Sequence, residues 1–308
     1  MTELPRLDEG AVVTVGTFDG VHRGHRAVVD EVVTRAHRRG LAAVLVTFEP
    51  HPAQVLRPTQ APPRLTLAAE RAELLAELGL DYAVVLRFDR ELAALEPEAF
   101  VDRVLMERCG LRELVVGHDH GFGRGRRGDL ASLRGLGAAR GFAVDVVPPV
   151  PDREGEPISS SRIRAAVTAG QLDRAAEWLG RPYRVAGRVE MGSRRGHGIG
   201  VPTANLAPPP GKLLPPDGVY AVRVEWGGGV ADGMMNQGSR PTVGDGRRWL
   251  EAHLFDFAGD LYGREIRIEW VARTRDTRRF ESLAHLRAQL DRDRLDARRA
   301  LVARGSKL

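Results

Sequence analysis

The stretch 12–48 constrains the fold more than any other, because it reads as strand, glycine-rich turn, helix and strand in quick succession. Residues 12–15 are a short apolar run. Val28, Val29, Val32, Val33 and Ala36 then recur at helical spacing, Gly40 stands where a helix C-cap falls, and 42–48 is again strand-like. Two strands separated by a helix predict a parallel pair joined by a crossover. The alternation continues with a helix over 67–78, a strand over 82–88, a helix opened by Pro97 and running to about residue 108, a strand over 113–117, a further helix, and a strand over 143–147. The expected product is an α/β domain with a parallel sheet.

Beyond residue 160 the pattern changes. A helical stretch over 161–179 leads to Gly180, Arg181 and Pro182, which mark a domain boundary, so the expected domains are 1–182 and 183–308. The second is β-rich, with strands expected over 183–191, 219–226, 229–235, 249–257 and 265–272, split by Gly/Pro clusters and with no helix until Ser282. Short strands without crossovers predict a small antiparallel barrel. The terminal helix, 282 to about 302, is expected to turn Leu283, Leu286, Leu290 and Leu301 toward an apolar surface.

Composition narrows the function classes. An apolar fraction of 43% and a charged fraction of 28% are those of a soluble globular chain, and no apolar run approaches a membrane span. One cysteine, Cys109, excludes an internal disulfide and a cysteine-only metal cage, which suits a reducing cytoplasm. The last three residues match a peroxisomal address, a signal three residues long. The net charge of +5 invites a nucleic-acid reading, but the positive charge is nearly all arginine interleaved with acids, so no nucleic-acid partner is expected. Lys212 and Lys307 are the only lysines, which excludes a GxxxxGK[ST] phosphate loop. The expected assembly is a monomer or weak homo-oligomer.

The turn GTFDGVHRGH (16–25) joins the first strand to the first helix, where a doubly wound fold binds ligands. Gly16 and Gly20 let the backbone approach a ligand, and Gly24 does so between His22 and His25 at the helix N-terminus, where free N–H groups and the dipole favour anions. Two imidazoles three positions apart can bond one phosphate chain together. A zinc reading is poorer, for want of a third ligand at suitable spacing. The GxGxxG run over 123–128, with Asp145 some twenty residues on, imitates a dinucleotide fingerprint. Its preceding strand ends too early, and Asp145 falls mid-strand.

The turn resembles the G-x-F-D-G-V-H-x-G-H signature of the prokaryotic bifunctional riboflavin kinase/FAD synthetase family. TFEPHP (47–52), VGHDHGFG (116–123) and ISSSRIR (158–164) resemble its further motifs, in family order and at family spacing. The resemblance implies a Rossmann-like nucleotidyltransferase domain in which the phosphate of FMN attacks the α-phosphorus of ATP and pyrophosphate leaves. It assigns Gly16, Phe18, Asp19, Gly24, His22 and His25 to the ATP, Ser160 and Arg164 to closure over its β- and γ-phosphates, and Asp119 and Phe122 to the flavin. His120 stands where the family has Phe, and Ser161 where it has Thr.

GSRRGHGIG (192–200) is flexible and basic, so its N–H groups can cradle phosphates. PTAN (202–205) follows, and the Thr203 hydroxyl and Asn205 carbonyl are oxygen donors suited to Mg²⁺. The run resembles the riboflavin kinase pattern ending in G-x-P-T-A-N, as do DGVY (217–220), NQGSRPT (236–242) and DLYG (260–263). Gly192, Gly196, Gly198, Thr203 and Asn205 are then the kinase's ATP residues, with Thr203 and Asn205 holding the metal. Alternation puts Glu251 on the face opposite Leu250, Ala252 and Leu254, and the resemblance makes it the base that takes the proton of riboflavin's 5′-hydroxyl. His197, Val201, Gln237 and Thr277 depart from the family's Arg, Phe, aliphatic residue and Glu. The expected function is riboflavin to FMN to FAD at two ATP sites. The competing readings are an enzyme active only in its N-terminal half, on a modified flavin or another nucleoside triphosphate, and a flavin-binding regulator without turnover.

Overall fold

The computed structural model describes residues 7, 9–118, 130–190, 203–239, 248–278 and 280–305. The chain divides into two compact units, Met1–Ser160 and Ser161–Leu308. The boundary expected at residue 182 falls inside the second unit.

In the first unit, β1 (Ala11–Val15), β2 (Ala42–Glu49), β3 (Tyr82–Arg87), β4 (Leu111–Gly117) and β5 (Ala143–Val147) form one parallel sheet in the order β3-β2-β1-β4-β5. The chain winds outward from β1 to β3, then returns to the other side of β1 for β4. Strand order therefore reverses between β1 and β4, and the turn leaving β1 stands at that switch point. Both faces are covered. Val13 and Val15 meet Val44, Val46 and Phe48 on one side, with Phe100, Val101, Val104 and Leu105 packed on them. Val12, Ala43 and Val115 meet Val28, Val32 and Ala36 of α1 (Arg23–Arg39) on the other. Burial on both faces explains why these strands read as continuous apolar runs. Gly40, at φ 64°, ends α1 with its N–H directed to the carbonyls of Ala36 and His37.

Of the other helices in this unit, α2 spans Pro52–Leu56, α3 spans Ala68–Ala76, α4 spans Arg90–Ala94, and α6 spans Leu130–Arg140. The helix expected from Pro97 is interrupted: α5 (Pro97–Phe100) passes into a π-helical turn over Val101–Met106. Asp145 is mid-strand, bonded by Arg35, which also reaches Glu113 at 2.5 Å. Its carboxylate thus serves the α1–sheet contact, as the rejection of the dinucleotide reading requires.

α7 (Ser160–Thr168), whose first residue closes the first unit, is followed after Gly170 by α8 (Leu172–Leu179), which packs against β11. Six antiparallel strands follow: β6 (Arg184–Arg188), β7 (Ala204–Leu206), β8 (Gly218–Trp226), β9 (Gly229–Ser239), β10 (Arg248–Leu254) and β11 (Glu265–Arg275). Their order is β6-β11-β8-β9-β10-β7, and a bridge in which Glu190 N donates to Asn205 O (2.8 Å) closes the barrel. Inside lie Val185, Leu206, Tyr220, Val222, Met235, Leu250, Ile266, Ile268 and Trp270, none more than 1% exposed. The terminal helix α9 (Leu283–Gly305) packs on β8, β9 and β11 through Leu290, Ala297 and Leu301. Leu283, expected on that face, is 68% exposed, while polar Gln289 and Asp293 take buried positions in its place.

Candidate functional site

In the first unit the turn after β1 is bent by φ values that side chains rarely adopt: Phe18 at 48°, Gly20 at 89° and Val21 at 41°. Phe18 and Val21 are buried, so the core holds what the backbone alone would not. The bend delivers His22 to the N-cap of α1, where its Nδ1 accepts from His25 N at 3.3 Å. The two imidazoles stack, with centroids 3.6 Å apart and planes 18° from parallel, and Phe18 lies 5.0 Å from the His25 ring. A Cβ on Gly24 would sit 3.2 Å from the His22 ring, so a glycine there keeps the stack close. The result is a flat imidazole pair at a helix N-terminus, where the dipole favours anions.

A set of buried polar groups holds this turn from behind. The Asp19 carboxylate is 0% exposed and accepts from Leu65 N (3.1 Å) and Thr66 N (2.9 Å), while Gly20 N donates to Thr66 Oγ1 (2.9 Å). Arg71 is 2% exposed and donates to Thr17 O, Phe48 O and Glu49 Oε2 at 2.9–3.0 Å. Burial, and after it the neighbouring Arg64, push the Arg71 guanidinium below its ordinary pKa, and Glu49 and Asp19 oppose them. Arg64 Nε lies 3.6 Å from Asp19 Oδ1. The turn is thereby tied to the ends of β1 and β2 and to the loop before α3. A part for Asp19 at ATP then runs through the turn it anchors, since its carboxylate faces inward.

The segment before α7 comes back to the same turn. Ser160 Oγ donates to Asp19 O at 2.9 Å, and Ile158 O approaches Gly24. Ser160 is thus brought to the turn, across 140 residues of sequence. Arg164 lies on α7, half-buried, in the second unit. Asp119 and Phe122, with His120, lie outside the described residues, as do Gly192, Gly196, His197, Gly198 and Val201 of the kinase half.

On the barrel, cross-strand register does the positioning. Glu251 of β10 stands opposite Asn205 of β7 on one side and Asn236 of β9 on the other. Paired residues share a face, so three polar side chains form a row across three strands. Asn205 is buried, Glu251 half-buried and Asn236 exposed, while Met235 and Gln237 beside Asn236 point inward. Leu250, Ala252 and Leu254 line the interior. His253, on the Glu251 face, is covered by α9, whose Arg294 Nη2 comes within 3.4 Å of its Nε2. The Asn205 amide nitrogen turns back to Thr203, 3.2 Å from its carbonyl and 3.5 Å from its hydroxyl. Thr203 also borders a cavity of about 230 Å³ with Val189, Leu254, Phe257, Asp260, Leu261 and Tyr262. Its walls are mostly apolar and aromatic, with Asp260 and Thr203 supplying polar edges.

These two arrangements have known counterparts. Residues 4–162 match the family model for FAD synthetase, and residues 179–301 match that for riboflavin kinase. Bifunctional riboflavin kinase/FMN adenylyltransferases are similar along nearly the whole chain. That of Escherichia coli K12 is 41% identical, covering 94% of this chain and 92% of the relative. That of Pseudomonas fluorescens is 41% identical (96% and 94% covered) and that of Bacillus subtilis 34% (93% and 91%). The chain belongs to the bifunctional riboflavin kinase/FMN adenylyltransferase family. A crystal structure described as a macrolide-efflux protein from Streptococcus pneumoniae shares the fold with a TM-score of 0.83, at 32% identity, over 95% of this chain and 96% of that one. No helix among the described residues of this chain is long and apolar enough to cross a membrane.

Against that family frame, three groups were missed in the sequence. Arg71 left a trace, since it falls on the same helical stripe as Leu74, Leu75 and Leu78, where a charge needs a buried partner. Thr66 left none, because its partner is 46 residues away. Asn236 sat inside a noted motif, and only strand pairing puts it beside Glu251. Among the described residues no group of three or more His, Cys, Asp or Glu is placed to hold a metal ion. The Thr203 hydroxyl and the Asn205 amide carbonyl are hard oxygen donors of the kind that suits Mg²⁺ completed by water and phosphate oxygens.

Proposed function

We propose that this chain makes FAD in two ATP-dependent steps: the second unit phosphorylates riboflavin to FMN, and the first adenylylates FMN with release of pyrophosphate. What carries the reading is the presence in one chain of two separate phosphate-directed arrangements, the capped His22/His25 pair at a sheet switch point and the Asn205–Glu251–Asn236 row on a barrel. Both family domains are present, so a reading with one active half has no support.

In adenylyl transfer a phosphate oxygen of FMN bonds to the α-phosphorus as the bond to the bridging oxygen of pyrophosphate breaks. No proton need move, so the protein's task is placement and charge neutralisation. His22 and His25 hold the triphosphate against the α1 N-terminus, Gly16 and Gly24 admit it, Phe18 backs the imidazoles, and Ser160 and Arg164 close on its outer phosphates. Asp119 and Phe122 serve the flavin.

For the kinase, Glu251 takes the proton of the riboflavin 5′-hydroxyl while that oxygen attacks the γ-phosphorus and ADP leaves. Thr203 and Asn205 hold Mg²⁺, which neutralises charge on the phosphates when bound. Gly192, Gly196 and Gly198 are assigned to binding the ATP phosphates. The apolar cavity beside Thr203 suits the flat base of the nucleotide, with Tyr262 at its rim. We place the enzyme in the cytoplasm, in keeping with a single thiol, Cys109, that is buried and pushed up to about 11 by that burial.

The test is a chromatographic time course with riboflavin or FMN, ATP and Mg²⁺. His25→Ala is expected to abolish FAD while sparing FMN, and Glu251→Ala to lose FMN formation yet still make FAD from supplied FMN. Loss of both activities in either variant, FMN formation from riboflavin and FAD formation from supplied FMN, with the protein folded, would sink the two-site reading.

A further inference from the structure

Gln237 departs from the aliphatic residue of the pattern it resembles, and it is 0% exposed inside the barrel. A buried primary amide is costly unless both its ends are bonded. Here both are. Nε2 donates to Pro215 O at 2.6 Å and Pro216 O at 3.2 Å, and Oε1 accepts from Trp270 Nε1 at 3.0 Å. The Tyr220 hydroxyl donates to Pro216 O as well. One side chain of β9 therefore ties β11 to the proline pair that leads into β8. An aliphatic group fills that space but leaves the buried Trp270 N–H and the Pro215 carbonyl without this partner.

The strand that carries Gln237 also needs a register pin. β9 contains Gly229, Gly233 and Gly238, and glycine-rich strands are weakly specified. A slip of one residue would bring Asn236 inside and Gln237 outside, removing Asn236 from its place opposite Glu251. The proline pair runs directly into Asp217, which receives Arg273 Nη2 on its carbonyl and lies 3.3 Å from Arg248 Nε of β10, the strand of Glu251. Fixing the prolyl carbonyls thus also fixes the rim of the barrel at the end where β10 begins.

We propose that Gln237 is a positioning residue for flavin phosphorylation: its amide, bonded to Trp270 and two prolyl carbonyls, keeps Asn236 in line with Glu251 and sets the Asp217 rim. This rests on the reading of the Glu251 row as the kinase site.

The experiment uses the full chain and compares Gln237→Leu, Trp270→Phe, their double variant, Gln237→Met and Glu251→Gln. For each, kcat and KM for riboflavin and ATP are measured well below that variant's Tm, with FAD formation from FMN as a fold control. Gln237→Leu is expected to lower kcat for FMN formation about tenfold, since small misplacement at a reacting centre is expensive. FAD formation from FMN should stay within about twofold, and the fall in kcat of the double variant should be smaller than the product of the two single falls, because the two groups share one bond. Wild-type kcat and KM in folded Gln237→Leu would overturn the proposal and leave the bridge a matter of stability alone. Should that variant not fold, Gln237→Met decides: it keeps the length of the side chain and removes both amide bonds, a fall in kcat of about threefold supports the proposal, and an unchanged kcat overturns it. Glu251→Gln judges the underlying reading separately, for FMN formation that survives it would refute the base and not the bridge.

Discussion

In the adenylyltransferase unit the groups proposed to face phosphate are carried by a bent turn, and in the kinase unit by paired strands. The difference shows in what lies behind each. Positive φ at Phe18 and Val21 is held by buried charge, with Asp19, Arg64, Arg71 and Glu49 converging on the back of the turn. The row of Asn205, Glu251 and Asn236 has no such charged scaffold, because hydrogen-bonded register sets neighbours side by side. Behind it lie apolar side chains and the neutral amide of Gln237. A turn must be forced into shape by long-range partners, whereas a strand inherits its geometry from its neighbours.

The largest expected effect tests the first half of that contrast. Asp19→Ala removes the acceptor for Leu65 N and Thr66 N and leaves Arg64 beside an apolar group. Breaking a buried charged set costs about 3–5 kcal/mol, and we expect FAD formation from FMN to fall by at least about a hundredfold. FMN formation from riboflavin should survive in the same preparation. An equal loss of both activities, with calorimetry showing a single lowered transition, would mean that the two scaffolds are not independent.

A milder change asks whether the turn is sensitive to a single hydroxyl. Thr66→Val keeps the volume but removes the oxygen that accepts from Gly20 N and donates to Asp19 Oδ1. The expected cost is about 1–2 kcal/mol, with FAD formation reduced about tenfold and FMN formation unchanged. Should Thr66→Val match wild type in FAD formation, Asp19 and Arg71 suffice and the Gly20 contact is incidental.

The same contrast governs what could be read from sequence. The turn 16–25 was legible because its strand, glycines, histidines and helix are contiguous, so local geometry and chemistry coincide. The parallel sheet and the barrel were legible because periodicity is also local. The clasp on the Asp19 carboxylate was not, since Leu65 and Thr66 lie 46 and 47 residues away and look like ordinary loop residues. β7 was missed because three residues flanked by prolines carry too little pattern. The strand expected to end at residue 235 runs on to Ser239, because Gly238 reads as a turn yet sits in the ladder opposite Trp249. Leu283 failed for the opposite reason: its spacing was right, but the contact at that end of α9 is polar, through Gln289 and Asp293.

The smallest effect is expected where charge serves neither site. Arg184, Glu269, Arg223 and Asp232 alternate in sign across β6, β11, β8 and β9 on the outside of the barrel. Burial raises the Glu269 carboxyl above its ordinary range, while Arg184 and Arg223 pull it back in part. The folded chain therefore holds this proton more tightly than the unfolded chain. That contribution is fully present below the ordinary carboxylate pKa and is lost as pH rises through the raised value. Glu269→Gln should flatten this slope, gaining on wild type toward neutral pH by less than about 1 kcal/mol once solvent screening is allowed for. Urea midpoints at several pH values between 4 and 7, roughly the range spanning that titration, provide the measurement. A wild type that instead gains on Glu269→Gln as pH rises would show that the two arginines outweigh burial. Both flavin activities should be unchanged, since strand register and not this charge holds the Glu251 row, whereas at Asp19 the charge and the site are inseparable.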